Sequence, residues 1–470
     1  MIFHSIDFLL FLIAVLTIYW VLPYRTQQVF ILLASYFFYG YIHPWFLYPL
    51  MASTSLDFLV ALAMERYPQH KYRFLVTSLV ANLSLLGIFK YFGFFVENVI
   101  ALLEMIGLSP PRIALEIMLP VGISFYTFQS ISYTIDVYRG RIPACHNPVD
   151  FALYVVFFPQ LVAGPIERAQ DMLQQIQKTR TLTAMDLREG MTLMVWGFFK
   201  KLVIADNVAL IANNVFLLEH PPFWVLWAGV FAFSIQILAD FSGYTDIARG
   251  VARLLGFRLS QNFNHPYLSD SPSEFWKRWH ISLSGWIRDY IYIPLGGSHV
   301  KAGRMIFNIL LTFFLCGLWH GASWNFIIWG VYHSLLIILY RVASSWKPLT
   351  ILGEMPGIFL IRWLVMFIWI NLGWLIFRET NLTHLLHYLT LSPFDDTDRE
   401  RQYALFLFAK VAIYAFFLCL HAFYDSFVNS WLTTLPRLRY WGQMILVTIL
   451  FTGILSMRGF VRIDFIYFQF

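Results

Sequence analysis

Charge is scarce in this 470-residue chain. Asp, Glu, Lys and Arg make up 13% of it, about half the share of a soluble domain, which excludes a water-soluble globular protein. Cysteine is scarcer still: Cys145, Cys316 and Cys419 are the only three, none in a Cys-x-x-Cys pair or beside His at ligand spacing. That excludes a disulfide framework, a thiolate metal site and redox-pair chemistry. No His-Glu-x-x-His or Walker sequence is present, and Ser242 in Phe241-Ser242-Gly243-Tyr244 is not a G-x-S-x-G elbow, so zinc hydrolysis, ATP-driven transport and a serine nucleophile all lack their motifs. There is no internal repeat, low-complexity tract or long hydrophilic domain. The net charge of +6 is spread through apolar sequence, which suits orientation in a bilayer better than a nucleic-acid-binding face.

What is abundant is apolar surface: 59% of residues are AVILMFWYC, with 47 Phe, 25 Tyr and 17 Trp. Crossing hydrocarbon takes roughly 20 apolar residues in a helix, so the length allows about ten to thirteen helices in one polytopic bundle. The segments predicted to be helical are 5–22, 28–48, 50–64, 74–100, 150–163, 190–217, 222–240, 305–318, 322–340, 358–377, 404–422 and 441–457. The first lacks a basic leader and a small-residue cleavage site, and reads as a retained helix. In 115–135, the run Leu119-Pro120-Val121-Gly122 predicts a broken or re-entrant helix, which needs protein or water around its free backbone groups. From Arg249 to Arg304 eight bases face three acids, whereas Glu379 to Glu400 has one base, Arg399. The first stretch is expected on the cytoplasmic side and the second outside.

Polar residues concentrate between 240 and 334: Asp240, Ser242, Asp246, Asn262, Asn264, His265, Glu274, His280, Arg288, Asp289, His320, Asn325 and His333. Among membrane-length apolar segments they cost solvation free energy unless a polar chamber holds them. In Gly317-Leu318-Trp319-His320-Gly321 the glycines admit a close backbone or substrate, and His320 is a candidate general base. The competing reading is a packing histidine. In Glu274-Phe275-Trp276-Lys277-Arg278-Trp279-His280 the i,i+4 spacing fits a continuous amphipathic interfacial helix, with Glu274 paired to Arg278. Alternatively His280 faces the same cavity as His320, with Trp276, Trp279 and Trp286 as walls. Asp240 and Asp246 are expected to organise turns or accept hydrogen bonds. Lys200-Lys201 suits either donor phosphates or anionic lipid. Arg288-Asp289 reads as an ion pair and Gly296-Gly297 as a turn.

Taken in order, these stretches resemble the membrane-bound O-acyltransferase family, in its bacterial alginate O-acetyltransferase branch. The match runs from Asn82-Leu83 and Phe89-Lys90-Tyr91-Phe92 through Leu119 to Tyr126, Ala163-Gly164-Pro165-Ile166, Asp240 to Asp246 and Asn262 to Tyr267. It continues through Glu274 to Ser284, Arg288-Asp289-Tyr290, Gly317 to Gly321 and Phe465 to Phe470. The resemblance implies an all-α polytopic membrane protein with about eleven full spans, re-entrant segments and a central catalytic tunnel, forming one domain over 1–470. It implies His320 as the principal catalytic residue and His280 as the second signature histidine. It also implies acetyl-CoA as the acyl donor, with no tightly bound cofactor and no metal. A periplasmic SGNH-type acetyltransferase is the implied partner, beside membrane lipids and no nucleic acid, at a bacterial inner membrane. The acceptor is alginate or a related exopolysaccharide, with cellulose or peptidoglycan as the alternative. A transporter without bond formation and a noncatalytic scaffold are the competing classes.

Overall fold

The computed structural model describes residues 1–110, 117–162, 164–345, 357–430, 436–459, 463, 465 and 466. Ala163 and Tyr467 to Phe470 of the matched stretches, and 115 and 116 of the expected break, lie outside these. Every regular element among the described residues is helical. They divide into two compact units, Met1–Met191 with Ala248–Ser260, and Thr192–Ile247 with Gln261–Phe470.

The first unit holds α1 (Ile6–Val21), α2 (Tyr24–Gly40), α3 (Leu47–Arg66), α4 (Lys71–Leu86), α5 (Phe92–Met105), α6 (Ile123–Tyr138), α7 (Pro148–Val156), α8 (Phe158–Leu161) and α9 (Ala169–Ile176). A wide-turn segment, Gly87–Tyr91, joins α4 to α5. After the run Leu119 to Val121, Gly122 takes φ +77° and opens the regular helix α6. A Cβ at Gly122 would lie 2.4 Å from the Leu161 carbonyl oxygen, so glycine is needed for both φ and space. Asp57 on α3 accepts from Ser78 and from Asn82 on α4, the latter at 2.9 and 3.1 Å. Such interhelical bonds replace the water that hydrocarbon lacks.

Two helices contribute residues to both units: α10 (Ala184–Phe199) and α12 (Phe223–Leu254). The second unit adds α11 (Asp206–Phe216), α13 (Pro272–Arg278), α14 (Ile281–Ile287), α15 (Ala302–His320), α16 (Trp324–Ser344), α17 (Ile358–Arg378), α18 (Leu382–Tyr388), α19 (Asp398–Ser430) and α20 (Pro436–Met457). Among the described residues, seven stretches are long and apolar enough to cross a membrane: 44–66, 68–105, 223–254, 302–320, 324–344, 358–378 and 398–426. This is an all-α, polytopic membrane architecture.

The expected helix 222–240 runs on through Asp240 and Asp246 to Leu254, 32 residues in all. These aspartates are therefore mid-helix, not turn residues. At 1.5 Å per residue α12 is about 48 Å long, more than the roughly 30 Å of hydrocarbon. Its most apolar window is 89% buried, against 17% for that of α19, so α12 is interior and can carry polar groups. Asp396 caps it by accepting from the Phe223 and Trp224 amides, each at 2.9 Å; this acid of the 379–400 stretch satisfies helix-end donors.

Lys200 and Lys201 are not surface cations. Both are buried, at the start of a wide-turn segment, Lys200–Ala205, that follows α10. Lys200 pairs with Asp246. Lys201 lies 2.9 Å from both Asp206 and Asp240 and donates to the Ile463 carbonyl at 2.9 Å. Asp240 also accepts from the Ile466 amide at 2.7 Å, so one buried cation joins α11, α12 and the last described residues. Removing one partner of a buried pair leaves an uncompensated charge, at about 3–5 kcal/mol. Lys201→Met is expected to lose monodisperse protein on thermal challenge in detergent, with Lys201→Arg losing less. Unchanged thermal stability of Lys201→Met would contradict the linking role.

Candidate active site

His320 ends α15, and its position follows from how closely α16 doubles back. A Cβ at Gly317 would lie 2.2 Å from the Phe326 carbonyl oxygen, and one at Gly330 would lie 2.2 Å from the Phe313 oxygen. The two glycines thus set backbone against backbone, as small residues do in membrane helix pairs. A Cβ at Gly321 would fall 2.2 Å from the Phe326 ring. The space the glycines provide is filled by α16 itself. At the open end of the hairpin, Arg341 donates to Ser298 at 3.2 Å.

The His320 ring is 6% exposed. It lies edge-on to Trp329 at 5.0 Å, to Phe377 at 5.3 Å and to Trp319 at 5.0 Å. Those three side chains are themselves buried, so its walls are protein rather than lipid-facing surface. Asn325 fixes the Phe377 side by donating to the Phe377 carbonyl at 2.8 Å.

His280 does not lie within a continuous amphipathic helix. The chain breaks there, with His280 in the left-handed region at φ +41° between α13 and α14. Ser271 caps α13, accepting from the Glu274 amide at 3.3 Å, and the expected Glu274–Arg278 pair forms at 2.6 Å. Asn262 receives the start of α14: its carbonyl accepts from the Ile281 amide at 2.9 Å and its Oδ1 from the Ser282 amide at 3.2 Å. On the other side of His280, the Asn264 amide donates to the Arg278 carbonyl at 3.0 Å, so the break is braced from both directions. The imidazole is fully buried, 4.7 Å from Phe241, 6.3 Å from a near-parallel Phe263 and 5.9 Å from Trp319. Burial lowers its pKa to about 3, so the ring is neutral at physiological pH.

His280 and His320, 40 positions apart in the chain, therefore border one indole, that of Trp319. Trp279 packs 4.7 Å from Trp374 and 5.0 Å from Phe263, and Trp276 packs 5.7 Å from Trp329. Trp286 lies against Tyr290 at 5.1 Å. The Arg288–Asp289 pair forms at 2.8 Å, and Gly296 and Gly297 both take positive φ. His265 is not beside Trp319 in any of these contacts; its Nε2 lies 3.3 Å from Asp425, which also sits 3.4 Å from His421. Trp329, Trp374 and Phe377 were not singled out from sequence, since aromatic residues inside an apolar span carry no signal of their own. Asn371 and Gly373, polar and small within α17, were the available hint.

Residues 31–377 match the model of the membrane-bound O-acyltransferase family. The chain belongs to that family. It is 43% identical over 387 residues to a probable alginate O-acetylase of Azotobacter vinelandii, covering 81% of this chain and 76% of that one. It is 37% identical over 391 residues to a peptidoglycan O-acetyltransferase of Helicobacter pylori, covering 77% and 73%. A teichoic acid D-alanyltransferase of Bacillus subtilis is 31% identical over 244 residues, 48% of this chain and 60% of that one. The protein is thus an O-acyltransferase, multi-pass in the cell inner membrane. Among the described residues no group of three or more His, Cys, Asp or Glu is placed to hold a metal ion.

A side chain at Gly317 must push α15 from α16 and carry His320 with it. Displacement of a reacting group by about 1 Å costs on the order of 100-fold in rate. Gly317→Val is expected to lose at least that much acyl transfer, and Gly87→Ala, where a Cβ meets nothing within 4 Å, to lose little. Near-normal turnover by Gly317→Val would show that the close hairpin does not set the geometry.

Proposed function

We propose that this protein transfers acetyl groups from cytosolic acetyl-CoA toward an extracytoplasmic polysaccharide, with His320 as general base. The observation that carries the reading is the pair of buried imidazoles bordering Trp319 in a chain of the O-acyltransferase family. The whole chain, 1–470, acts as one acyltransferase domain with about eleven spans, re-entrant segments and a central passage. The first polymer to test is alginate or a related exopolysaccharide, because the Azotobacter relative at 43% identity carries that name. Peptidoglycan is the second reading, supported by the Helicobacter relative at 37%.

The acetyl thioester carbonyl sits beside His320. The imidazole takes the proton of an incoming hydroxyl as its oxygen attacks the carbonyl carbon. The tetrahedral intermediate collapses, the carbon–sulfur bond breaks, and the proton passes from the imidazolium to the departing CoA thiolate. His280, neutral, orients the acceptor or donates to the oxygen where negative charge develops. The positive-inside asymmetry supports donor entry from the side of the basic 249–304 stretch. A periplasmic SGNH-type acetyltransferase then completes transfer to the polymer, and membrane lipids surround the helices.

Replacing a general base typically costs 10²–10⁴-fold. His320→Ala is expected to lose about that much acetyl transfer from acetyl-CoA while inserting and purifying normally. Ester-linked acetate on isolated envelope polymers from a deletion strain, restored by the native chain but not by this variant, would name the acceptor. Full activity in the variant eliminates His320 as the base, and acetyl-CoA turnover by the native protein separates an enzyme from a transporter or scaffold.

A further inference from the structure

Next to the His320 pocket three rings meet whose polar atoms the mechanism does not use. His333 on α16 is 2% exposed. Its ring lies 4.7 Å from Trp329 and 5.1 Å from Trp276, and those two indoles are 5.7 Å apart. His333 Nδ1, Trp276 Nε1 and Trp329 Nε1 are all buried, and no described residue forms a hydrogen bond with any of them. Buried polar atoms are usually hydrogen-bonded. Here three such atoms, on mutually packed rings, are left for a partner to satisfy. Gly373 on α17 makes room for the imidazole and fixes its place: a Cβ there would lie 3.0 Å from His333 Nε2.

We propose that His333, Trp276 and Trp329 bind an amide of the acyl donor's pantetheine arm. This rests on acetyl-CoA being the donor. The inventory of groups matches a secondary amide: each indole offers only an N–H, suited to the amide carbonyl, and a neutral imidazole offers an acceptor nitrogen to the amide N–H. Aromatic faces suit the methylenes on either side. Position agrees as well. Trp329 borders both His320 and His333, and the first pantetheine amide follows the thioester sulfur by two methylenes. Along α16, His333 lies between the His320 end of the hairpin and Arg341, which reaches Ser298 beside the basic start of α15. The donor, entering from that basic side, passes His333 before its carbonyl meets His320. A sugar hydroxyl arriving from the far side has no reason to reach this site first.

The test compares acetyl-CoA with a simple alkyl thioacetate that has the thioester and no amide, using full-length protein in detergent or vesicles. Loss of one neutral hydrogen bond corresponds to about a three- to tenfold effect. Trp276→Phe and His333→Leu should each raise KM for acetyl-CoA by about that factor, with kcat changed by less than about twofold and KM for the alkyl thioacetate unmoved. His333→Asn, which keeps a polar atom near the Nδ1 position, should recover part of the loss. Equal changes for both thioesters, no change for either, or a shift in acceptor KM alone would overturn the assignment and leave a structural or acceptor role. If the native protein turns over neither thioester, the donor reading itself fails; turnover with unaltered variants sinks only the amide site.

Discussion

The close approach of α15 to α16 is the constraint on which the rest of the site depends. Lipid tails are as apolar as leucine side chains, so helices in hydrocarbon gain little from burying apolar area and depend on packing and interhelical hydrogen bonds. Gly317 and Gly330 remove the side chains that would keep the two backbones apart. The consequence is rotational as well as translational: with the hairpin closed, His320 is directed at Trp329 of the returning helix, and Phe377 of α17 closes on its other edge. A looser hairpin would leave the same residues in the chain without bringing them together. The glycines beside the histidine therefore serve protein packing, not substrate clearance.

A second constraint is the treatment of charge. A buried ammonium is expensive and is retained only with close partners. Lys201 has two carboxylates and a carbonyl around it, and these come from separate parts of the second unit. Asp240 is followed by Phe241, whose ring faces His280. The charge network therefore adjoins the aromatic histidine pocket through α12, although none of its members borders His320 in the ring contacts. In the contacts of the described residues, the polar residues between 240 and 334 fall into several groups. They separate into the charged set on α12, the Asn262 brace, the His265–Asp425–His421 set and the aromatic histidine pocket.

Much of this was legible in the amino-acid sequence, and the failures have definite causes. Long apolar stretches located most helices, because the hydrocarbon requirement is a matter of length. His320 and His280 stood out because ionisable groups are costly in such a setting. The end of α12 was misread because Asp240 and Asp246 look like a loop when hydropathy alone is followed; a buried lysine on another helix reverses that reading. The break at His280 was hidden by good i,i+4 spacing through Glu274 and Arg278, which do pair. What stops the helix is Asn262, 18 positions earlier, taking the amides of Ile281 and Ser282. Lys200 and Lys201 suited donor phosphates or anionic lipid because their carboxylate partners lie on distant stretches of the sequence; both are instead buried at the start of the wide turn at 200–205.

The aromatic walls bear on the chemistry in a way that the histidines alone do not. In the proposed reaction, a base able to activate a sugar hydroxyl activates water equally well, and hydrolysis would then waste the thioester. Selectivity has to come from the surroundings. Trp319, Trp329 and Phe377 leave His320 only 6% exposed, and they offer few polar atoms that could order a water against its nitrogens. Excluding water from the reacting centre also strengthens the electrostatic interactions that stabilise the transition state. A neutral His280 fits this setting, since a second charge within the same aromatic enclosure would draw water in with it. In the proposed reaction, the scarcity of charge around these two imidazoles favours transfer over hydrolysis.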